Sequence, residues 1–157
     1  MNSYIFEILR KCVDSASPNE CCGLIFGEIQ EINLNNDYSY HYIGKKARCI
    51  PSDQKSSVSF LIRNTEMLNT IILEELQSEI QKIQLISIFH SHPSGNYPSA
   101  TDLNYMRYLD NFGENASKFT SKAFKNLIWL IIDANDYDIN GFIYFKNEIQ
   151  EIDVIIS

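Results

Sequence analysis

Apolar side chains at Tyr4, Ile5, Ile8, Leu9, Cys12 and Val13 recur at helical spacing, which predicts an amphipathic helix over residues 3–15. Ser17-Pro18-Asn19 ends it. Cys21 to Ile29 is a mostly apolar run with Gly23 and Gly27 inside it and reads as a buried strand. Ile32 to Asn35 is expected as a second strand, and Tyr38 to Ile43, alternating aromatic and polar, as a third. Residues 44–56 carry Lys45, Lys46, Arg48 and Lys55 and read as a solvated loop. The longest helix is expected over Leu61 to Lys82, with Met67, Leu68, Ile71, Ile72, Leu76 and Ile80 on its apolar side. Leu85 to Phe89 is a short strand ending at His90, and residues 91–101, with Pro93, Gly95 and Pro98, form a loop. Asp102 to Leu109 reads as a short helix, Asn111 to Lys125 as a polar insertion. Leu127 to Ile132 and Ile139 to Phe145 are strands around an Asn135-Asp136 turn, and Ile149 to Ile156 is a last strand or helix. The pattern is mixed α/β, one sheet with helices, and shows no internal repeat.

Composition narrows what such a chain does. Its 157 residues, 45% of them hydrophobic, suit a single domain over 1–157 with a core of its own. A formal charge of −7 argues against a nucleic-acid binder and against an anionic membrane surface. The first residues lack the basic and apolar regions of a signal peptide, and Leu127 to Ile132 is too short to cross a bilayer. A cytoplasmic protein is therefore the expectation. Cys12, Cys21, Cys22 and Cys49 are then expected as free thiols. No C-x-x-C pair occurs, which sets aside the zinc-ribbon, thioredoxin and nucleotide-deaminase patterns.

Candidate chemistry gathers at a few polar positions. Residues i and i+2 of a strand point to the same side, so His90 and His92 can meet one ion, while Ser91 faces away and Pro93 opens a loop rim. A pair of surface histidines at a strand end is the plainer alternative. Asp102, in Ser99-Ala100-Thr101-Asp102, reads as the first turn of a helix capped by Ser99. It also reads as a third, carboxylate ligand, and the two readings are compatible. Two imidazoles, a carboxylate and a water suit a catalytic zinc. Glu20, just before the apolar strand, would by itself be a solvated edge residue.

Taken together, Pro18-Asn19-Glu20-Cys21-Cys22-Gly23-Leu24-Ile25-Phe26-Gly27, His90-Ser91-His92-Pro93-Ser94-Gly95 and Pro98-Ser99-Ala100-Thr101-Asp102 resemble the JAB/MPN metalloproteases, also called JAMM, over residues 3 to about 145. The resemblance implies a JAB/MPN-like, cytidine-deaminase-like fold, a central mixed sheet flanked by helices. It implies one Zn2+ per chain on His90, His92 and Asp102, with a water as fourth ligand. It implies Glu20 as general acid/base and Ser99 as a hydroxyl that stabilises an oxyanion. The sequence departs from the family in a His92-to-Asp102 loop one residue shorter than usual, in a longer 103–126 segment, and in the second cysteine beside Glu20. One cysteine, at Cys22, is familiar there as a small core residue.

The activity implied is that of a zinc metallo-isopeptidase cleaving after the C-terminal glycine of a ubiquitin-like protein. It would be a deconjugase in the manner of bacterial operons that also encode E1- and E2-like partners, some of them antiphage. A peptidase trimming a ubiquitin-like sulfur carrier is a second enzyme reading. A non-catalytic MPN scaffold is the reading from another class, and bound metal separates it from the enzymes. A DNA-repair-associated branch shares His-x-His-Pro-Ser-Gly, but the charge weighs against it. A thiol protease using Cys21, Cys22 or Cys49 lacks an orienting partner, and His-Glu-x-x-His and Gly-x-Ser-x-Gly are absent. His41 reads as a surface or satisfied strand residue.

Overall fold

The computed structural model describes residues 1–51, 63–78, 82–114 and 123–157. Helix α1 spans Ser3–Ala16, and the Asn2 side chain caps it by accepting the Ile5 N–H at 2.9 Å. Strands β1 (Cys22–Leu34) and β2 (Asp37–Ile50) form one long hairpin. Helix α2 (Thr65–Ser78) and strand β3 (Gln84–His92) follow. Helix α3 (Ala100–Glu114) leads to β4 (Ile128–Asp133), β5 (Ile139–Phe145) and β6 (Glu148–Ile152). The strands lie in one sheet in the order β2-β1-β3-β4-β5-β6, parallel at β3–β4 and antiparallel at every other pairing.

Alternation along the central strands sends side chains to two apolar layers. Leu24, Phe26, Ile88, Trp129, Ile131 and Phe142 pack against Leu68 and Ile72 of α2 and Met106 and Leu109 of α3. Ile25, Ile86, Phe89, Ile128 and Leu130 pack against Ile5, Leu9 and Val13 of α1. Strand β3 is buried on both sides from Leu85 to Ser91. Its fixed position carries the two histidines at its end. Gly23 sits in close packing, since a Cβ there would overlap the Arg48 carbonyl oxygen and the Phe89 ring.

Several expectations change. The strands expected at 21–29 and 32–35 are one, and 44–50 is strand where a loop was expected. Residues 28–34 pair only with β2, so this part of the hairpin is largely exposed and shows no clean apolar alternation. Asn35 and Asn36 turn the hairpin at φ 54° and 67°, a left-handed conformation that Asn tolerates. Lys46 and Arg48 are not a free basic stretch. They pair with Glu75 on α2 at 2.7 and 2.8 Å, and Lys45 pairs with Glu28 at 3.3 Å. The helix after Ser99 runs on to Glu114, into the expected insertion, whose residues 115–122 lie outside the described ones, as do 52–62 and 79–81. The last element is strand β6. Cys12 and Cys49 form a disulfide with Cα atoms 5.9 Å apart, against the expectation of four free thiols. They meet because α1 packs against β2, a contact that a sequence separation of 37 does not announce. Cys21 and Cys22 are buried and outside the disulfide. Among the described residues no helix is long and apolar enough to cross a membrane.

Gly23→Ala is expected to destabilise the protein by on the order of 1–3 kcal/mol, because backbone and an aromatic ring would both have to shift. Thermal unfolding should show the midpoint falling by roughly 3–10 °C. An unchanged midpoint would mean that the β1–β2–β3 packing is looser than described.

Candidate metal centre

The site is built where three elements end. Strand β3 delivers His90, fully buried, and His92 two residues on, half-buried. Cys22 of β1 lies opposite His90 in register, so Glu20 comes to the same edge of the sheet. Helix α3 begins there as well and presents Asp102, 4% exposed, from its first turn.

The structure shows the capping role of Asp102 and places its carboxylate where it could also be a ligand. Ser99 caps α3: its hydroxyl accepts the Asp102 N–H at 3.2 Å, and its own N–H and hydroxyl both donate to Asp102 Oδ2 at 2.7 Å. This reciprocal arrangement is a capping box with aspartate in the third position. The same carboxylate faces the histidines, Oδ1 to His90 Nε2 at 3.3 Å and Oδ2 to His92 Nε2 at 3.1 Å. The two Nε2 atoms are themselves 3.1 Å apart. Among the described residues His90, His92 and Asp102 form the group of donors that could hold a metal ion.

The donor spacing fits zinc. Four ligands around a tetrahedral ion at about 2.0–2.1 Å sit about 3.3–3.4 Å from one another. The two Nε2 atoms, 3.1 Å apart, are close to that, and each faces a different oxygen of Asp102, at 3.3 Å for His90 and 3.1 Å for His92. Once deprotonated at Nε2, the two imidazoles would offer lone pairs to a cation beside the carboxylate. The shorter loop between His92 and Asp102 therefore does not keep the donors apart.

Electrostatics join Glu20 to this group. Burial raises the Glu20 carboxyl above its ordinary range; His90 and His92 pull it down, and Asp102 pushes it up. Burial would raise Asp102 also. Hydrogen bonds from His90, His92 and Ser99 outweigh that and hold it well below the usual carboxylate range. The hydrogen bond to Asp102 raises His92 against its desolvation. Burial raises the Cys21 thiol, the wrong direction for a nucleophilic thiolate. His41 is exposed on the hairpin, away from the other two histidines.

Two features escaped the sequence reading. Ser91 does face away from the histidines, but it is not idle. Its hydroxyl accepts the Cys21 N–H at 2.9 Å and its own N–H donates to the Cys21 carbonyl at 3.0 Å, which ties β3 to the residue after Glu20. Asp133, at the end of β4 and opposite His92 in register, accepts the Gly95 N–H at 2.7 Å. A lone serine between histidines and an aspartate before a turn carry no signal of their own.

Residues 3–142 match the family model for prokaryotic homologs of the JAB domain. This chain belongs to the prokaryotic JAB family. The solution structure of a protein from Desulfitobacterium hafniense is similar at TM-score 0.61 and 20% identity, with 100% of this chain and 93% of that one covered. The crystal structure of a JAB1/MPN domain protein from Archaeoglobus fulgidus is similar at TM-score 0.53 and 16% identity, with 99% and 95% covered. The second likeness shows that this chain has the JAB/MPN fold. The chain matches no curated protein sequence.

His92→Ala leaves two protein donors, so the purified variant is expected to hold far less zinc than the wild type. Elemental analysis of both proteins checks this. Equal zinc in the two would remove His92 from the site.

Proposed function

We propose that this JAB-family chain is a zinc-dependent peptidase that cleaves after the C-terminal glycine of a ubiquitin-like protein, most simply an isopeptide deconjugase. The observation that carries this reading is the convergence of Glu20 on His90, His92 and Asp102 at one edge of the sheet. A scaffold that had lost its chemistry would have no need of a half-buried carboxylate beside three metal donors.

Zinc bound at that site supplies a Lewis acid that polarises a carbonyl and acidifies water. His90, His92 and Asp102 hold the ion, and the α3 cap holds Asp102. Glu20, its carboxyl raised by burial, accepts a proton from the attacking water and returns it to the leaving amine nitrogen. Ser99 supports Asp102 through its two donations, and its hydroxyl, exposed at the rim, would serve an oxyanion by turning its one proton away from Asp102 Oδ2. An extended tail fits a site at the open end of a sheet, and the loop at 93–98 limits the bulk it can carry next to the scissile bond. The cell partners consistent with this reading are a ubiquitin-like protein, its conjugates and the E1- and E2-like enzymes that make them. Trimming of a ubiquitin-like sulfur carrier would use the same residues on a linear bond.

Glu20→Gln is expected to keep its zinc and lose about 10²-fold or more in turnover, the usual scale of a general base. Loss of zinc together with activity would make Glu20 a ligand or a fold residue. The substrate is tested with the ubiquitin-like protein from the same genomic neighbourhood fused to a reporter. Cleavage is expected with a terminal glycine and not with leucine in its place. Equal cleavage of both contradicts the narrow tail, and no cleavage of any fusion favours the scaffold.

A further inference from the structure

Nine residues, 93–101, connect His92 to Asp102. Pro93, Ser94, Gly95 and Tyr97 are exposed, so burial does little to fix the path between these two donors. Polar contacts from one neighbouring turn do. The Ala134 N–H donates to the His92 carbonyl at 3.0 Å, and Asn135 Nδ2 donates to the Pro93 carbonyl at 3.0 Å. Asp133 Oδ2 accepts the Gly95 N–H at 2.7 Å, where Gly95 has φ +83°. Asp133 Oδ1 accepts the N–H and the side-chain amide of Asn135 at 2.8 and 3.0 Å, which holds Asn135 in place for Pro93. Further out, Asn96 donates to Asp138 at 2.9 Å and accepts from Asn140 at 3.1 Å.

We infer that Asp133 and Asn135 are positioning residues for the metal centre: they clamp the turn after His92 and so hold His92 and Asp102 at ligand spacing before an ion arrives. This rests on the reading of His90, His92 and Asp102 as zinc ligands. The physical reason is preorganisation. A loop that must be ordered on binding subtracts its ordering entropy from the affinity, and a loop already held does not. Asp133 is the centre of the clamp, because one carboxylate fixes both the loop, through Gly95, and the second clamp residue, through Asn135. Neither side chain is a proposed ligand, and neither is needed to fill the core.

The test measures zinc affinity of the full chain by competition with a chromophoric chelator, alongside the melting temperature of the metal-free protein. Asp133→Ala is expected to weaken zinc binding by roughly 10–100-fold, the range found when partners behind metal ligands are lost. Asn135→Ala is expected to weaken it less, and Asp133→Asn to fall between wild type and Asp133→Ala. Asp136→Asn removes the same charge from the same turn, but the Asp136 carboxylate accepts the Asp138 N–H, inside its own turn, and not a donor of the loop after His92. It is expected to bind zinc as the wild type does. Unchanged affinity in Asp133→Ala overturns the clamp, as does an equal loss in Asp136→Asn. Should Asp133→Ala fail to fold, Asp133→Asn and Asn135→Ala decide, and wild-type affinity in both overturns it. Failure of the wild type to bind zinc would sink the ligand reading itself, an outcome separate from the others.

Discussion

The structure turns on the carboxylate of Asp102. It caps a helix, faces two imidazoles and is almost wholly buried, three demands that pull in different directions. Burial of an unpaired carboxylate costs several kcal/mol. Here Ser99 donates twice to one oxygen and the imidazoles face both, so among the described residues the anion is held by histidine and serine rather than by lysine or arginine. The same bonds that begin α3 therefore fix a donor for a cation. Fold and candidate site share one set of interactions.

The remaining donors depend on backbone pairing. Strand β3 lies inside the sheet, with α1 behind it and the other two helices in front. Its register against β1 puts His90 opposite Cys22, and the Ser91–Cys21 pair extends that register to the threshold of Glu20. A slip of one residue would turn both histidines into the α1 layer. Packing on two sides prevents it.

Much of this was legible in the sequence, and what was not shares a cause. The helix at 3–15 and the strands around 85–90, 127–132 and 139–145 follow from local pattern, as helical periodicity or short apolar runs; His90 and His92 share one short spacing, and the resemblance added Asp102, which alone reads as a helix start. The hairpin was misread where it leaves the sheet, because exposed paired strands have no reason to alternate. Lys46 and Arg48 looked like loop residues because their partner, Glu75, lies on α2, far along the chain. The Cys12–Cys49 bond and the ties from Ser91 and Asp133 are likewise contacts between distant segments. Local sequence carries no trace of them, and they are what aligns the local pieces into a site.

The single parallel pairing, β3 beside β4, has a consequence of its own. Two neighbouring strands that run the same way release their chains at the same edge, and here those chains part: one turns into α3, the other into the turn toward β5. Hydrogen bonds from the turn after β4 keep the two chains together for the first residues beyond the strands, and α3 begins only after that. In open α/β sheets the carboxyl ends of parallel strands are where small ligands settle. The antiparallel neighbour β1 begins at that edge, so the carboxylate preceding it comes to the same end of the sheet. The topology thus gathers the polar residues at one edge, and substitutions there can change what that edge accepts while leaving the sheet intact.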